Sequence, residues 1–448
     1  MNLNREILRL AVPSILANIT VPLVGMVDIA VVGHLGGDAA VLIGGISIGS
    51  MIFGLLYWNF SFLRTGTGGL TAQAFGRGDM PAAAEALRRA LRIALVTGVI
   101  LIALQGLIAW AAFQVIPCSE AVRSFARTYF FIRIWAAPAT LSLFALKGWF
   151  IGMQDSLRPM VADLLVNGIN IVLSVVLAAG IPGVYKGMGF RGVAFGTVIA
   201  QWSGMGYCLL ALWRRYRPVL RQRYAGDEKG LGLRAYLALN GDLALRATGM
   251  VAVYIGFTYL SALYGDLMLA TSTILMQFLM IFSYFIDGFA YAGEALSGRF
   301  IGERSSEGLH TAVRQTFAWS GGVALVFIAL YGLGGTPLLR LMSSDASVVE
   351  AGRQFLPWLM LMPLLGCPAF VWDGVFIGAT AGADLRNSTL GSALFFFALW
   401  WALSRRVPGG MDPNVWGIHT LMAAYFAHVG FRALYLTLRY RGAVRSRV

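Results

Sequence analysis

Four acidic side chains lie inside long apolar stretches of this sequence: Asp28, Asp287, Glu294 and Asp373. An acid at the centre of a bilayer costs roughly 2.5–3.5 kcal/mol on insertion scales. An ionisable residue in such a position is by default a candidate for binding a proton, a cation or a basic side chain. These four acids are therefore the first candidates for a functional site.

Asp28 lies in the first apolar stretch, six residues after Pro22. A proline removes one backbone hydrogen bond and favours a helix bend close to Asp28. The favoured interpretation of Asp28 is a proton or cation site. The alternative is that Asp28 lies near the outer interface and is solvated there, with His34 and Asp38 marking the end of the helix.

Polar residues in the fifth and sixth apolar stretches could complete a pocket for Asp28. Asn170 and Ser174 are four residues apart, so they share one face of a helix. Thr197 lies in the next stretch. The alternative is hydrogen bonding between helices, which commonly holds membrane bundles together. Both interpretations stay open for Asn170, and the structural one is favoured for Asn167.

The acids of the second half have two interpretations. Asp287 and Glu294 are seven residues apart and share a helix face, and Asp373 lies further along. They could attract a cationic substrate or titrate in turn. Alternatively, Glu294 pairs with an arginine inside the apolar stretches. The arginines considered are Arg64, Arg133 and Arg246.

The composition indicates the elements that carry these residues. Apolar residues make up 58% of the 448, and charged residues 12%, against roughly 25% in a soluble domain. A membrane helix needs about 20 apolar residues, and about twelve such stretches are present. The predicted fold class is an all-α integral membrane protein with twelve transmembrane helices. The predicted helices are 5–33, 41–72, 86–116, 120–152, 157–181, 190–216, 234–264, 266–299, 309–342, 346–380, 386–404 and 414–438.

Several function classes are excluded by what the sequence lacks. Three distant cysteines and four scattered histidines have no metal-ligand spacing, so neither a metal site nor a cofactor is expected. No Gly-Lys-Ser or Gly-Lys-Thr indicates a P-loop for ATP. Formal nucleotide and hydrolase motifs at Gly187–Gly192 and Gly45–Gly49 lie in a short loop and inside an apolar helix, so no enzyme is predicted.

The basic residues indicate orientation rather than nucleic-acid binding. The net charge is +14, but the basic residues cluster in a few loops. Placing the N-terminus inside puts 22 of the 35 Lys and Arg residues on the cytoplasmic side. We therefore expect a multi-pass protein of the cell (inner or plasma) membrane with both termini in the cytoplasm. The longest connection, Arg214 to Arg234, is the predicted central cytoplasmic loop.

The chain repeats itself at one constant separation along the sequence, which we call the repeat offset. Gly148–Gly152 corresponds to Gly374–Gly378, and Thr71–Gly76 corresponds to Ser297–Gly302 at the same offset. The repeat predicts two pseudo-symmetric six-helix lobes with the same orientation, a pseudo-twofold axis along the membrane normal and a site between them. Because one chain contains both lobes, a monomer is expected to be sufficient for function. The predicted limits are 1–216 for the N-terminal lobe, 217–233 for the inter-lobe loop and 234–448 for the C-terminal lobe with its basic tail.

Five groups of residues together resemble the motifs of one family. They are Tyr284 to Ala295 with Gly298 and Gly302, Val27-Asp28 with Gly33, Asn170 to Leu173, Gly189 to Thr197, and Asp373 to Thr380. The chain resembles the multidrug and toxic compound extrusion (MATE) transporters, and within them the DinF-type branch. The resemblance covers essentially the whole chain.

The resemblance implies export of amphipathic, often cationic organic compounds against inward flow of protons or sodium ions. It implies that Asp28 carries the coupling ion and that Asn170 and Thr197 belong to the same site. Ser174 departs from the pattern, because many members carry an acid there. With one acid instead of two, sodium loses electrostatic attraction, and desolvation disfavours the charge of a lone carboxylate. Proton coupling is therefore the expectation, with sodium as the alternative.

The roles of Asp287, Glu294 and Asp373 stay open within the resemblance. A lipid-linked precursor flippase of the same superfamily is another alternative, although such proteins often have extra helices and a more cationic central cavity. A channel is a third class, and no repeated selectivity-filter loop is visible. The expected partners are small organic substrates, the coupling ion and the lipid bilayer.

Overall fold

The structure is a computed structural model, and it describes residues 2–35, 38–116, 118–181, 183–222, 233–343 and 345–448. Across these ranges the chain is helical, and the one β feature is an isolated bridge between Ile181 and Tyr185. The predicted all-α class is therefore confirmed. The predicted loop 217–233 falls mostly outside the described residues, and its first residues, up to Leu220, continue a helix.

The described residues form sixteen α-helices. Their bounds are α1 Leu3–Gly33, α2 Ala39–Asn59, α3 Phe62–Gly76, α4 Met80–Ala103, α5 Gln105–Val115, α6 Glu120–Arg133, α7 Ala137–Gly152, α8 Leu157–Ala179, α9 Phe190–Leu220, α10 Leu233–Ala262, α11 Asp266–Gly302, α12 Ser306–Met342, α13 Ala346–Arg353, α14 Leu356–Gly378, α15 Gly382–Ser404 and α16 Pro413–Ala443.

Eleven of the described segments are long and apolar enough to cross a bilayer, if α4 and α5, bent by 68° at their junction, count as one span. The 23-residue helix α15 is not one of these eleven segments, and it lies at the position of the predicted helix 386–404. At about 1.5 Å of rise per residue, α15 is long enough to cross the apolar layer. The described helices thus agree with the predicted twelve-helix fold.

Four stretches predicted as single helices are each divided in two. The stretch 41–72 breaks between α2 and α3, 86–116 between α4 and α5, 120–152 between α6 and α7, and 346–380 between α13 and α14. Pro138 and Pro357 lie in the first turns of α7 and α14. A proline has no amide hydrogen and fits best where a helix begins, so it favours these breaks.

The contacts divide the chain into two compact units. We call Leu16–Gly230 the N-terminal unit, and Met1–Ile15 together with Leu231–Val448 the C-terminal unit. In the C-terminal unit, Trp319 donates from Nε1 to the Asn4 side chain at 3.1 Å. The start of α1 thus packs with helices that follow the central loop. The lobe limits drawn from the duplication stay a prediction.

The duplication is visible in the backbone. Gln154 and Thr380 follow α7 and α14 with φ values of 61° and 54°, and the repeat offset separates them. Gly78 and Arg304, between α3 and α4 and between α11 and α12, have φ values of 70° and 55° at the same offset. Positive φ is uncommon outside glycine, so recurrence at one offset reflects a repeated fold.

Two glycines allow close helix contact in both repeats. A Cβ atom on Gly148 of α7 would collide with the carbonyl oxygen of Arg64 on α3. A Cβ atom on Gly374 of α14 would collide with the carbonyl oxygen of Ala290 on α11. The repeat offset separates the two glycines, and it also separates the two residues that they contact. Small residues let membrane helices approach closely, and here the approach leaves no space for any side chain.

Candidate functional site

Close packing of α8 against α9 positions the polar residues of the N-terminal unit. A Cβ atom on Gly196 would lie 2.9 Å from the backbone nitrogen of Ser174 and 3.2 Å from its Oγ. One turn earlier, a Cβ atom on Gly192 would lie 2.5 Å from the backbone nitrogen of Ala178. The two helices therefore touch through glycine, next to the side chains that the sequence singles out.

Four predicted residues meet at this contact, and we call them the polar cluster: Asp28, Asn170, Ser174 and Thr197. Ser174 donates from Oγ to Asp28 Oδ1 at 2.8 Å. Asn170 donates from Nδ2 to Thr197 Oγ1 at 2.9 Å, and Thr197 in turn donates to the carbonyl oxygen of Val193 at 3.2 Å. Each of the four is at most 7% exposed.

The polar cluster contains one carboxyl group, that of Asp28, and one buried hydrogen-bond acceptor to which no group donates. Asn170 Oδ1 is buried and has no hydrogen-bond partner within the described ranges. Asn170 lies one helical turn from Ser174, and therefore near Asp28. A proton or a cation entering the cluster would supply a positive partner. Burying an acceptor without any partner costs about 1–3 kcal/mol, so the Asn170 acceptor favours a bound species.

Asn167 lies on α8 but belongs to a different contact. Its Nδ2 donates to Thr20 Oγ1 at 2.5 Å, and Thr20 donates to the carbonyl oxygen of Ala17 at 2.7 Å. This pair joins α8 to α1 at about two turns from Asp28. The geometry agrees with the structural role favoured for Asn167 from the sequence.

The C-terminal unit contains three charged residues, which we call the charged cluster: Arg246, Asp373 and Arg432. Arg246 on α10 donates from Nη2 to Asp373 Oδ2 at 2.7 Å. Arg432 on α16 donates from Nη2 to the same oxygen of Asp373, which lies on α14. The side chains are 11%, 8% and 4% exposed in the order Arg246, Asp373 and Arg432. Two guanidinium groups thus surround one carboxylate.

The sequence offers Arg246 as a partner for Glu294, and the structure places Arg246 beside Asp373. No motif or spacing in the sequence indicates Arg432 as a member of this cluster. The available signal is an arginine in an apolar helix, one turn after the buried His428. Arg133 donates to the Tyr129 hydroxyl at 2.9 Å.

Asp287 and Glu294 both lie on α11. Glu294 is fully buried, whereas Asp287 is partly exposed. Gly378 of α14 packs directly against the backbone of Glu294, so the acid lies at the α11–α14 contact. The roles of both acids stay predictions.

The N-terminal unit has its own ion pair at the repeat position of Asp373. Lys147 on α7 pairs with Asp163 on α8, and their side chains are 19% and 23% exposed. The equivalent positions of α7 and α14 therefore carry opposite charges. Lys147 and Asp373 each have an oppositely charged partner on a neighbouring helix.

Twelve membrane helices in two repeats, with ionisable groups among them, are the architecture of a polytopic membrane transporter. The family model MatE matches residues 13–176 and 244–401, and the chain belongs to this family. MATE proteins are transporters and not enzymes, so the prediction of a non-enzymatic transporter is confirmed, as is the predicted family.

Curated relatives and solved structures agree with this assignment. DNA damage-inducible protein F of Escherichia coli (strain K12) is 36% identical over 408 residues, covering 89% of this chain and 86% of that protein. The probable multidrug resistance protein NorM of Thermotoga maritima is 24% identical over 412 residues, with 89% and 84% covered. A crystal structure of MATE in the straight conformation has a TM-score of 0.83 at 19% identity, covering 99% and 97%.

Proposed function

We propose that this MATE transporter exports amphipathic or cationic organic compounds and is driven by inward proton flow, with Asp28 as the proton carrier. The observation that carries the proposal is the Ser174–Asp28 hydrogen bond of 2.8 Å inside a buried cluster that has one carboxyl group. The relatives include proteins named for multidrug resistance, which supports an organic substrate.

The chemistry of the polar cluster favours a proton over sodium. A sodium ion would keep its full charge in a buried site and would have one carboxylate to offset it. A proton neutralises Asp28, so the occupied cluster carries no net charge to desolvate. The remaining oxygens come from Ser174, Thr197 and Asn170, all neutral groups.

Protonation would change the hydrogen bond that joins α1 to α8. The Asp28 carboxylate accepts from Ser174 Oγ. A protonated carboxyl group can also donate, and the buried Asn170 Oδ1 is an acceptor without a partner within the described ranges. We infer that protonation redirects Asp28 from Ser174 towards Asn170. Pro22 lies about two turns before Asp28. Because proline removes one backbone hydrogen bond of the helix, α1 can bend there when Asp28 changes its hydrogen-bond partner.

The test uses the purified full chain in proteoliposomes loaded with a cationic dye. Efflux is measured under a proton gradient alone and under a sodium gradient alone. We expect the proton gradient to drive efflux and the sodium gradient to have no effect beyond the passive leak. Sodium-driven efflux by the native chain would refute proton coupling, while efflux under neither gradient would refute the antiport mechanism.

A further inference from the structure

A groove between α6 and α9 contains two arginines that have no acidic partner. Its volume is about 550 Å³, within the range of about 300–1,000 Å³ that is typical of small-molecule sites. Arg127 of α6 and Arg191 of α9 line it together with Ser124. Neither arginine forms an ion pair with any residue that the structure describes. Because arginines in membrane helices usually pair with another group, a ligand of negative charge is expected here.

One acid also lines this groove, and it already has a partner. Glu120 accepts from Arg123 at 3.3 Å, and its side chain is 81% exposed. Arg123 lies one turn before Arg127 and is not among the residues that line the groove. Counting Arg123 with the lining residues, three arginines stand against one glutamate. The net charge of the groove is therefore positive.

The equivalent helix of the C-terminal unit pairs the same arginine with an acid. Arg353 follows Arg127 by the repeat offset, and it donates to Glu350 at 3.0 Å. The residue that precedes Glu350 by the repeat offset is Ser124, and a glycine stands at the equivalent of Arg191. The duplicated fold thus forms without a positive groove. In the N-terminal unit the neutralising acid is replaced by a serine, and a second arginine is present.

The groove adjoins the face of α9 that contacts lipid. Phe195, Ile199 and Trp202 follow Arg191 at helical spacing, and they are 38%, 44% and 42% exposed. A face of exposed apolar side chains on a membrane helix packs against acyl chains. Phe195 also lines the groove, together with Phe131 of α6. The two guanidinium groups therefore stand at the end of an apolar surface, as the phosphate of a phospholipid stands at the end of its acyl chains.

We propose that this groove binds an anionic phospholipid, with its phosphodiester between Arg127 and Arg191 and an acyl chain along Phe131 and Phe195. Each guanidinium can donate two parallel hydrogen bonds to phosphate oxygens. A headgroup with an ammonium group would add positive charge to a positive groove, so a glycerol headgroup, as in phosphatidylglycerol, fits better than ethanolamine. The bound lipid joins α6 to α9, and in the predicted orientation it belongs to the outer leaflet.

The experiment measures lipid binding to the purified full chain in detergent by native mass spectrometry, without any gradient or transported compound. The probes are phosphatidylglycerol, phosphatidylethanolamine with the same acyl chains, and inorganic phosphate. Arg127→Gln and Arg191→Gln should each weaken the tightest binding of phosphatidylglycerol about tenfold, the loss of one charge-assisted hydrogen bond. Phosphatidylethanolamine should bind weakly and equally to all variants, and inorganic phosphate should not displace phosphatidylglycerol.

Ser124→Glu gives the sharpest test, because it rebuilds on α6 the acid–arginine pair of Glu350 and Arg353. It should weaken phosphatidylglycerol binding as Arg127→Gln does, although both arginines remain, and the unfolding temperature without lipid should stay that of the native chain. Arg353→Gln is the matched control and should leave lipid binding unchanged. An equal loss in Arg353→Gln, unchanged binding in the groove variants, equal binding of the two lipids, or displacement by inorganic phosphate would overturn the proposal.

Discussion

The two units share a backbone design but place different chemistry at equivalent positions. In the N-terminal unit the polar cluster joins α1, α8 and α9. The residues that follow its members by the repeat offset are apolar or aromatic, and Phe396 among them is fully buried. The equivalents of Asp28, Asn170, Ser174 and Thr197 are Tyr254, Phe396, Trp400 and Ala423.

The charged cluster occurs in the C-terminal unit alone. Its equivalents in the N-terminal unit are a threonine, a glycine and a lysine. By contrast, the glycine contacts and left-handed turns recur at the same offset. The two units are thus alike where helix backbones touch with no space for a side chain, and they differ on the helix faces that carry polar groups. On the function proposed above, the proton-binding carboxyl group belongs to the N-terminal unit.

The largest expected effect is at Asp28. Asparagine has the same shape but cannot gain and lose a charge, so Asp28→Asn should abolish gradient-driven efflux while the protein still folds and inserts. Asp38→Asn is the control, because Asp38 caps α2 with a bond of 3.1 Å to the backbone of Ala40, and asparagine caps equally well. Wild-type efflux by Asp28→Asn under a proton gradient would make Asp28 structural.

The predicted parallel orientation of the repeats can be tested by cysteine labelling from the two sides of the membrane. Arg77 and Glu303 are equivalent positions directly after α3 and α11, and cysteines there should react with an impermeant reagent from the cytoplasmic side. Cysteines at Val184 and Met411 should react from the outside. The measurement is labelling of intact cells and of inverted vesicles. Labelling of Arg77→Cys and Glu303→Cys from opposite sides would contradict a parallel repeat.

The glycine contacts should be equally sensitive in both units. Gly148→Ala and Gly374→Ala each push a methyl group into a backbone carbonyl, and overpacking of this kind typically costs about 1–3 kcal/mol. Gly168→Ala and Gly430→Ala are controls, since nothing lies within 4 Å of an added Cβ. Thermal unfolding in detergent measures the effect. Tolerance in one unit alone would show that the repeats pack differently.

Ser174 allows the ion preference to be altered. Ser174→Asp adds a second carboxyl group beside Asp28, which should let the cluster hold a sodium ion and make sodium-driven efflux measurable. Ser174→Asn is the control for size and should gain no sodium dependence. If Ser174→Asp stays insensitive to sodium while retaining proton-driven efflux, the number of carboxyl groups does not set the ion.

The sequence predicts the helices and the repeat well because each depends on features that extend along the chain. Apolar length indicates a span, and a constant offset indicates a duplication. The polar cluster is also predictable in part, since Asn170 and Ser174 are one turn apart on a single helix. The hydrogen bond from Ser174 to Asp28 joins positions 146 residues apart, and the family resemblance rather than spacing brings them together.

The charged cluster is harder to predict from sequence. Arg246, Asp373 and Arg432 lie on three helices, and their meeting depends on how those helices rotate and cross. Sequence alone shows which charges are buried in apolar stretches, but not which of them face one another. The break between α2 and α3 also escapes prediction, because the turn at Phe60 and Ser61 contains no proline or glycine.

The smallest expected effect separates Asn167 from Asn170, three residues apart on α8. Side-chain hydrogen bonds in membrane bundles contribute about 0.6 kcal/mol on average, so Asn167→Ala should lower the unfolding temperature slightly and leave coupled efflux close to wild type. Asn170→Ala removes the donor to Thr197 and the open acceptor, so it should reduce proton-driven efflux strongly at similar stability. Efflux and thermal unfolding are measured on both variants. Loss of coupled efflux in a stable Asn167→Ala protein would extend the coupling site to Thr20 and place a second step of proton transfer on α1.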